Sequence, residues 1–135
     1  MFLFSVLSLI SLNFFACNET EKDDTAQVEP SFQITNLQVT SAACDGEEIP
    51  EDSYNVSVDG DVANVVHSNF EASSCLDFQV EGLLEGSNLS ISYTEQGEAC
   101  DCISVYTLEY DIENLGSGAY DLNLPGGGNE SISIE

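Results

Sequence analysis

Positive charge is almost absent from this sequence. The 135 residues include one cationic side chain, Lys22, against 25 Asp and Glu, for a formal net charge of −24. Because no Lys or Arg follows Lys22, the chain has almost nothing with which to neutralise phosphates, and nucleic acid is excluded as a partner. Attraction to an anionic membrane surface is disfavoured for the same reason. Cations or a basic protein are the partners that this charge favours.

Histidine is scarce as well. His67 is the only His in the chain, so a His-activated nucleophile has one candidate base. Ser68 follows it directly, but adjacent residues of a strand point to opposite faces, so a Ser–His pair between them is not expected. With 25 acids in the chain, some pairs of carboxylates will lie close together by chance. No pair is distinguished by an apolar setting of the kind that acid–base catalysis would require. We expect a surface or strand-end His67 and no catalytic residues, with a small hydrolase as the remote alternative.

Charged residues are missing from the N-terminal run, residues 1–16, which is apolar apart from Ser and Asn13. The run is shorter than the about 20 residues that a transmembrane helix needs, and it fits the apolar core of a signal peptide. A polar, acidic stretch follows and ends at Pro30. We therefore divide the chain into a signal peptide (1–16), a flexible acidic tether (17–30) and one folded domain (31–135).

The junction Phe14-Phe15-Ala16-Cys17 resembles the lipobox of bacterial lipoproteins, in which a small residue precedes the Cys that is lipidated. The resemblance implies that Cys17 carries lipid, becomes the mature N-terminus and anchors the protein to a membrane of the cell envelope. Lys22-Asp23-Asp24 is similar to the acidic signals that send some lipoproteins outward. This implies the outer membrane or the cell surface, and plain secretion is the alternative.

Four further cysteines remain after Cys17. An even number in an exported chain favours two disulfides among them, and the four are Cys44, Cys75, Cys100 and Cys102. One residue separates Cys100 from Cys102, so a bridge between these two would strain the backbone. We expect each of them to pair with Cys44 or Cys75. A metal–thiolate site with His67 is the alternative, although the spacing departs from the usual zinc pattern and no C-x-x-C redox pair is present.

Clusters of oxygen ligands make calcium the most reasonable metal. Asp45 and Glu47 lie in one acidic cluster, and Asp59 and Asp61 flank Gly60 in another. Calcium accepts six to eight oxygen ligands in flexible geometry, but neither cluster has the spacing of an EF-hand loop. These four residues are weak candidates, a solvated acidic face is the simpler interpretation, and no cofactor is predicted. The run Gly126–Gly128 is expected to be a turn and not a phosphate loop, because no Lys follows it.

Short alternating runs separated by Gly, Asn, Asp and Ser predict an all-β fold of seven or eight antiparallel strands. The clearest run places Tyr106, Leu108, Tyr110 and Ile112 on one face and polar residues on the other. In the first strand the apolar parity changes between Ile34 and Leu37, which predicts a bulge near Thr35. Asp59-Gly60 predicts a hairpin. Many short strands at regular spacing indicate a β-sandwich.

The stretch from Leu115 to Leu122 resembles the L-x-x-G-x-Y-x-L turn of many immunoglobulin-like domains. The resemblance implies that Tyr120 begins the penultimate strand and closes a corner with its hydroxyl. The fold predicted is therefore an immunoglobulin-like sandwich without the Cys of antibody domains. The function that we expect is a membrane-anchored interaction or structural module of the cell envelope, and a calcium- or metal-binding accessory module is the alternative.

Overall fold

The computed structural model describes residues 32–42 and 48–135. They form eight strands: β1 (Gln33–Ala42), β2 (Ser53–Asp59), β3 (Val62–Ser73), β4 (Asp77–Glu85), β5 (Asn88–Gln96), β6 (Ile103–Glu113), β7 (Gly118–Leu124) and β8 (Gly128–Ile134). A 3-10 turn, Pro125–Gly127, joins the last two strands. No helix in this part of the chain is long and apolar enough to cross a membrane. The predicted signal peptide, Cys17 and tether lie outside the described residues.

The strands form two four-stranded sheets, sheet I in the order β1-β6-β3-β2 and sheet II in the order β4-β5-β7-β8. The two sheets pack face to face, which confirms the predicted all-β sandwich. All strand pairs are antiparallel except β5–β7, which is parallel between Asn88–Ser90 and Asp121–Asn123. Strand β6 follows β5 in the chain but lies in sheet I. The chain therefore reverses direction twice before β7 enters sheet II, and β7 runs parallel to β5.

Alternation along β6 supplies the centre of the core. Ser104, Tyr106, Leu108, Tyr110 and Ile112 are buried, and the residues between them face outward. Strands β5, β7 and β8 contribute apolar side chains from the opposite sheet, chiefly Leu89, Ile91, Leu122, Leu124, Ile132 and Ile134. The alternation read from the sequence therefore places the core residues of both sheets correctly.

Two local devices adjust the strands of sheet I. The register of β1 against β6 shifts between Thr35 and Gln38, and Asn36 has a positive φ of 53°, which confirms the predicted bulge. The predicted hairpin is confirmed as well: Asp59 pairs with Val62, and Gly60 adopts a φ of 63° in the two-residue turn. Glycine favours that conformation because it has no Cβ to clash.

One end of the sandwich is held by covalent and backbone links. Cys75, between β3 and β4, forms a disulfide with Cys100, between β5 and β6, with Cα atoms 5.6 Å apart. The Ser74 amide donates to the Cys102 carbonyl at 2.7 Å, and the Cys100 amide donates to the Ser74 carbonyl at 2.8 Å. The β3–β4 connection and the β5–β6 connection each run from one sheet to the other, so the disulfide and these two hydrogen bonds link the two connections to each other.

Candidate functional site

His67 lies in the interior, which corrects the expectation of a surface or strand-end residue. Its side chain is 0% exposed, and it sits in the middle of β3 with the same parity as Ala63 and Val65, both also fully buried. The physical reason is that alternation along β3 directs every second residue into the core. The apolar parity of Ala63 and Val65 was the sequence signal that could have placed His67 inside.

Both ring nitrogens of His67 have partners. Nε2 lies 3.3 Å from Oδ2 of Asp52, just before β2, and Nδ1 lies 3.1 Å from the hydroxyl of Tyr93 on β5. That hydroxyl in turn lies 3.4 Å from the hydroxyl of Tyr110 on β6. A chain of polar groups therefore runs from the half-exposed Asp52 through the imidazole into the centre of the core.

Aromatic rings enclose the imidazole. The ring of Tyr54 stacks on it at 4.0 Å between centroids, and the rings of Phe70 and Tyr93 lie at 5.2 and 5.6 Å. The Tyr54 hydroxyl donates to the carbonyl of Pro125 in the 3-10 turn. A Cβ at Gly128 would lie 2.8 Å from the Tyr54 ring, so the absence of a side chain there makes room for Tyr54 to cover His67.

Burial sets the proton affinities in this cluster. It lowers the pKa of His67 below its ordinary value, although the hydrogen bond to Asp52 and its negative charge act in the opposite direction. Burial also raises the pKa of Tyr54 and Tyr93 above the ordinary range, and raises the pKa of Tyr110 to about 12. The imidazole and the phenols are therefore neutral at pH 7, and none of these tyrosines is activated as a nucleophile.

The sequence-predicted corner is present. The Tyr120 hydroxyl donates to the carbonyl of Leu115 and lies 3.2 Å from the carbonyl of Gly116. Tyr120 is the third residue of β7, the penultimate strand. Gly118 adopts a φ of 152°, and a Cβ there would be in contact with the Tyr120 ring. Tyr120 therefore stabilises the turn before β7, and it is well separated in sequence from His67 and its contacts.

The predicted disulfides are confirmed in part. Cys75 pairs with Cys100, so Cys100 reaches back to an earlier cysteine and does not bridge to Cys102. The Cys102 Sγ lies 3.0 Å from the Ser74 Oγ. Cys44 lies outside the described residues, so the second disulfide stays a prediction.

The calcium candidates are not assembled into a site in the described part of the chain. Asp59 ends β2 and Asp61 lies in the following turn, and both are exposed. Asp45 and Glu47 lie outside the described residues. Among residues 32–42 and 48–135, no group of three or more His, Cys, Asp or Glu side chains is placed to hold a metal ion.

Sequence reasoning missed how the carboxylates of sheet I are held. Asp111 on β6 accepts a hydrogen bond at 2.7 Å from the amide of Asn36 and another at 2.9 Å from the amide of Asn64. Beside it, Glu113 accepts from the hydroxyl of Thr35 at 2.7 Å. The two amide donors, Asn36 first, hold the pKa of Asp111 below its usual value. Neutral donors thus take the place that Lys or Arg fills in most proteins.

These contacts depend on strand register, which composition does not reveal. Asn64 lies directly opposite Asp111 in the β3–β6 ladder, and the bulge in β1 brings Asn36 to the other side of the same carboxylate. Cross-strand neighbours on one face lie about 5 Å apart, within reach of short side chains.

No protein-family model, curated protein or solved structure matches this chain.

Proposed function

We propose that the chain is a lipid-anchored module of the bacterial cell envelope, in which an acidic, immunoglobulin-like sandwich is presented to a basic partner. The lipid is carried by Cys17, and residues 17–30 hold the domain away from the membrane. The lipobox-like junction after an apolar run supports the anchor. The Tyr120 corner supports the immunoglobulin-like interpretation, with the parallel β5–β7 pair as a departure from all-antiparallel sheets.

The observation that carries this proposal is the unbalanced charge of the domain. Residues 31–135 contain no Lys or Arg, and subtracting the five acids of residues 17–30 from the 25 in the chain leaves 20 in this region. A strand at the edge of sheet II, β4, displays Asp77, Glu81 and Glu85 on its exposed face. No hydrogen bond from a described residue reaches these three carboxylates, so they are free to meet cations on another molecule.

The test uses full-length protein in the envelope of a bacterial host. Intact mass after membrane extraction should show a chain that begins at Cys17 and carries diacylglycerol, and Cys17→Ala should appear in the soluble fraction. A zero-length carbodiimide reagent then joins carboxylates to amines. Because Lys22 is the only lysine of this chain, crosslinks to Lys residues report almost entirely on other proteins.

We expect crosslinks at β4 that decrease in 1 M NaCl and disappear in the variant D77N/E81Q/E85Q. The matched control neutralises the three acids of β6, with E109Q/D111N/E113Q, and should retain them. An unmodified mature chain would contradict the anchor. Crosslinks that are absent, or that are insensitive to both salt and the β4 variant, would contradict the basic partner.

A further inference from the structure

His67 joins three parts of the fold through one ring. It belongs to β3 in sheet I, its Nδ1 contacts Tyr93 in sheet II, and its Nε2 contacts Asp52 on the segment that leads into β2. Among the described strands, β2 lies at the edge of sheet I and pairs only with β3. The imidazole is therefore a contact between the body of the sandwich and its edge.

The positions of the protons follow from the partners. An ionised Asp52 can only accept, so Nε2 of the neutral ring carries the proton and donates to it. Nδ1 is then an acceptor, and the Tyr93 hydroxyl donates to it across 3.1 Å. The Tyr93 oxygen is left to accept from the Tyr110 hydroxyl at 3.4 Å. All donors in this chain point from the core toward Asp52.

A second proton on the ring disturbs this arrangement. Once Nδ1 bears hydrogen, Tyr93 has to accept from it and turn its own proton toward a neighbouring phenol. The new positive charge lies on a side chain with no exposure. The anionic neighbour that the described part of the chain provides, Asp52, is 48% exposed and lies 3.3 Å from Nε2, the other ring nitrogen. Burying a charge that is incompletely paired is unfavourable, so hydration of the ring becomes favourable.

The edge strand of sheet I covers one side of the His67 ring through Tyr54. Tyr54, Phe70 and Tyr93 are all partly buried around the imidazole, and Tyr54 is the one of the three that belongs to the edge strand β2. The half-exposed Asp52 lies beside it. We propose that His67 is a proton-operated latch, whose protonation releases Tyr54 and the Asp52 segment so that β2 opens while the rest of the sandwich stays folded.

The groups that face His67 set the direction of the effect. They are Asp52 before β2, Tyr54 on β2, Phe70 on β3, Tyr93 on β5 and, through Tyr93, Tyr110 on β6. Burial lowers the pKa of His67 in the closed state, and hydration in the open state returns it toward 6.5. Between these two values, one proton taken up on opening favours the open state by up to about tenfold per pH unit of acidification.

Hydrogen exchange of the full-length protein tests the latch. Amide exchange is followed from pH 7.5 to 4.5 and corrected for the intrinsic pH dependence, while NMR of the single imidazole reports its titration. Protection of β2 (Ser53–Asp59) should fall by up to about tenfold per pH unit below about pH 6.5, and it should level off where the imidazole of the closed state titrates. Protection at the centre of β6, from Tyr106 to Ile112, should exceed that of β2 at every pH, because these amides exchange only on global unfolding.

The variant H67Q, which cannot take up the proton, should lose the pH dependence in β2. If that variant does not fold, the wild-type comparison of β2 with β6 still decides. A β2 protection that stays flat below about pH 6.5, or that equals the protection of β6 at every pH, would overturn the proposal. An imidazole that titrates at its ordinary pKa with no change in β2 would overturn it too.

Discussion

The two exposed faces of the sandwich treat their carboxylates differently. On sheet I the acids of the inner strand β6 are held: Asp111 and Glu113 accept hydrogen bonds from Asn36, Asn64 and Thr35 on the flanking strands. On sheet II the acids of β4 lie at an edge, and no described donor reaches Asp77, Glu81 or Glu85. The acid of sheet II that does have a donor is Asp121 on the inner strand β7, which accepts from Ser131 at 2.7 Å.

The difference shows how a domain without Lys or Arg accommodates its negative charge. A central strand has a neighbour on each side, so short amides and hydroxyls can approach a carboxylate from both directions. An edge strand has one neighbour, and its acids stay with the solvent. Exposed like charges on an edge also discourage pairing with another sheet. Strand β6 of sheet I therefore has acids that the domain itself stabilises, and strand β4 of sheet II leaves its acids available.

The largest effect should come from breaking the link that holds the sheets together. Replacing Cys75 and Cys100 with Ser removes a crosslink of sequence separation 25, which the chain-entropy model values at about 3–4 kcal/mol. Urea unfolding under non-reducing conditions should show the loss in the free energy of unfolding. A loss below about 1 kcal/mol would mean that the backbone bonds at Ser74 hold this end without the disulfide.

A smaller change in stability should distinguish the outer face of sheet I from that of sheet II. Asn64→Ala removes the bond to Asp111 and the longer contact, 3.4 Å, to Glu109. Because this site is partly exposed, we expect a loss of about 1 kcal/mol in the free energy of unfolding. The matched control is Asn123→Ala on the outer face of sheet II, where no described hydrogen bond is lost, and it should change stability by less than about 0.5 kcal/mol.

The same pair of variants gives a pH dependence with a definite sign. The amide bonds lower the pKa of Asp111 in the folded state, so their stabilisation is present above the ordinary value of 3.8 and is lost as the pH falls through the lowered value. The difference between wild type and Asn64→Ala should therefore shrink between pH 7 and pH 3. An equal difference at both values would mean that Asn64 acts through packing and not through the carboxylate.

Much of the fold could be predicted because alternation is local. Tyr106 to Ile112, the bulge after Thr35 and the turn at Gly60 each follow from a few neighbouring residues. The Tyr120 corner was found in the same way, since its acceptor, the carbonyl of Leu115, is five residues away. A structural feature whose residues all lie within one turn or one strand can be predicted without knowing how the rest of the chain folds.

The candidate site could not be predicted in the same way. His67 meets Asp52 and Tyr93 only after three strands have been placed, and one polar residue in an apolar alternation does not reveal its partners. The parallel β5–β7 pair was missed because alternation reports a strand and its faces but not its neighbour. The two amide hydrogen bonds to Asp111, from Asn36 and Asn64, depend on the register of both β1 and β3 against β6.

The central claim is that the negative charge of the domain is not balanced from within, and salt tests it most directly. Many of the 20 carboxylates in residues 31–135 must lie within about 8–10 Å of one another, the screening length at ordinary ionic strength. Their repulsion is concentrated in the compact state and relaxes on unfolding. The melting temperature of the full-length protein at pH 7 should therefore rise as NaCl increases from low concentration to about 1 M, with chloride chosen to limit salting-out. A melting temperature that is flat or falls across this range would contradict the account, because it would mean that the acids are paired too well, or spread too widely, for repulsion to dominate.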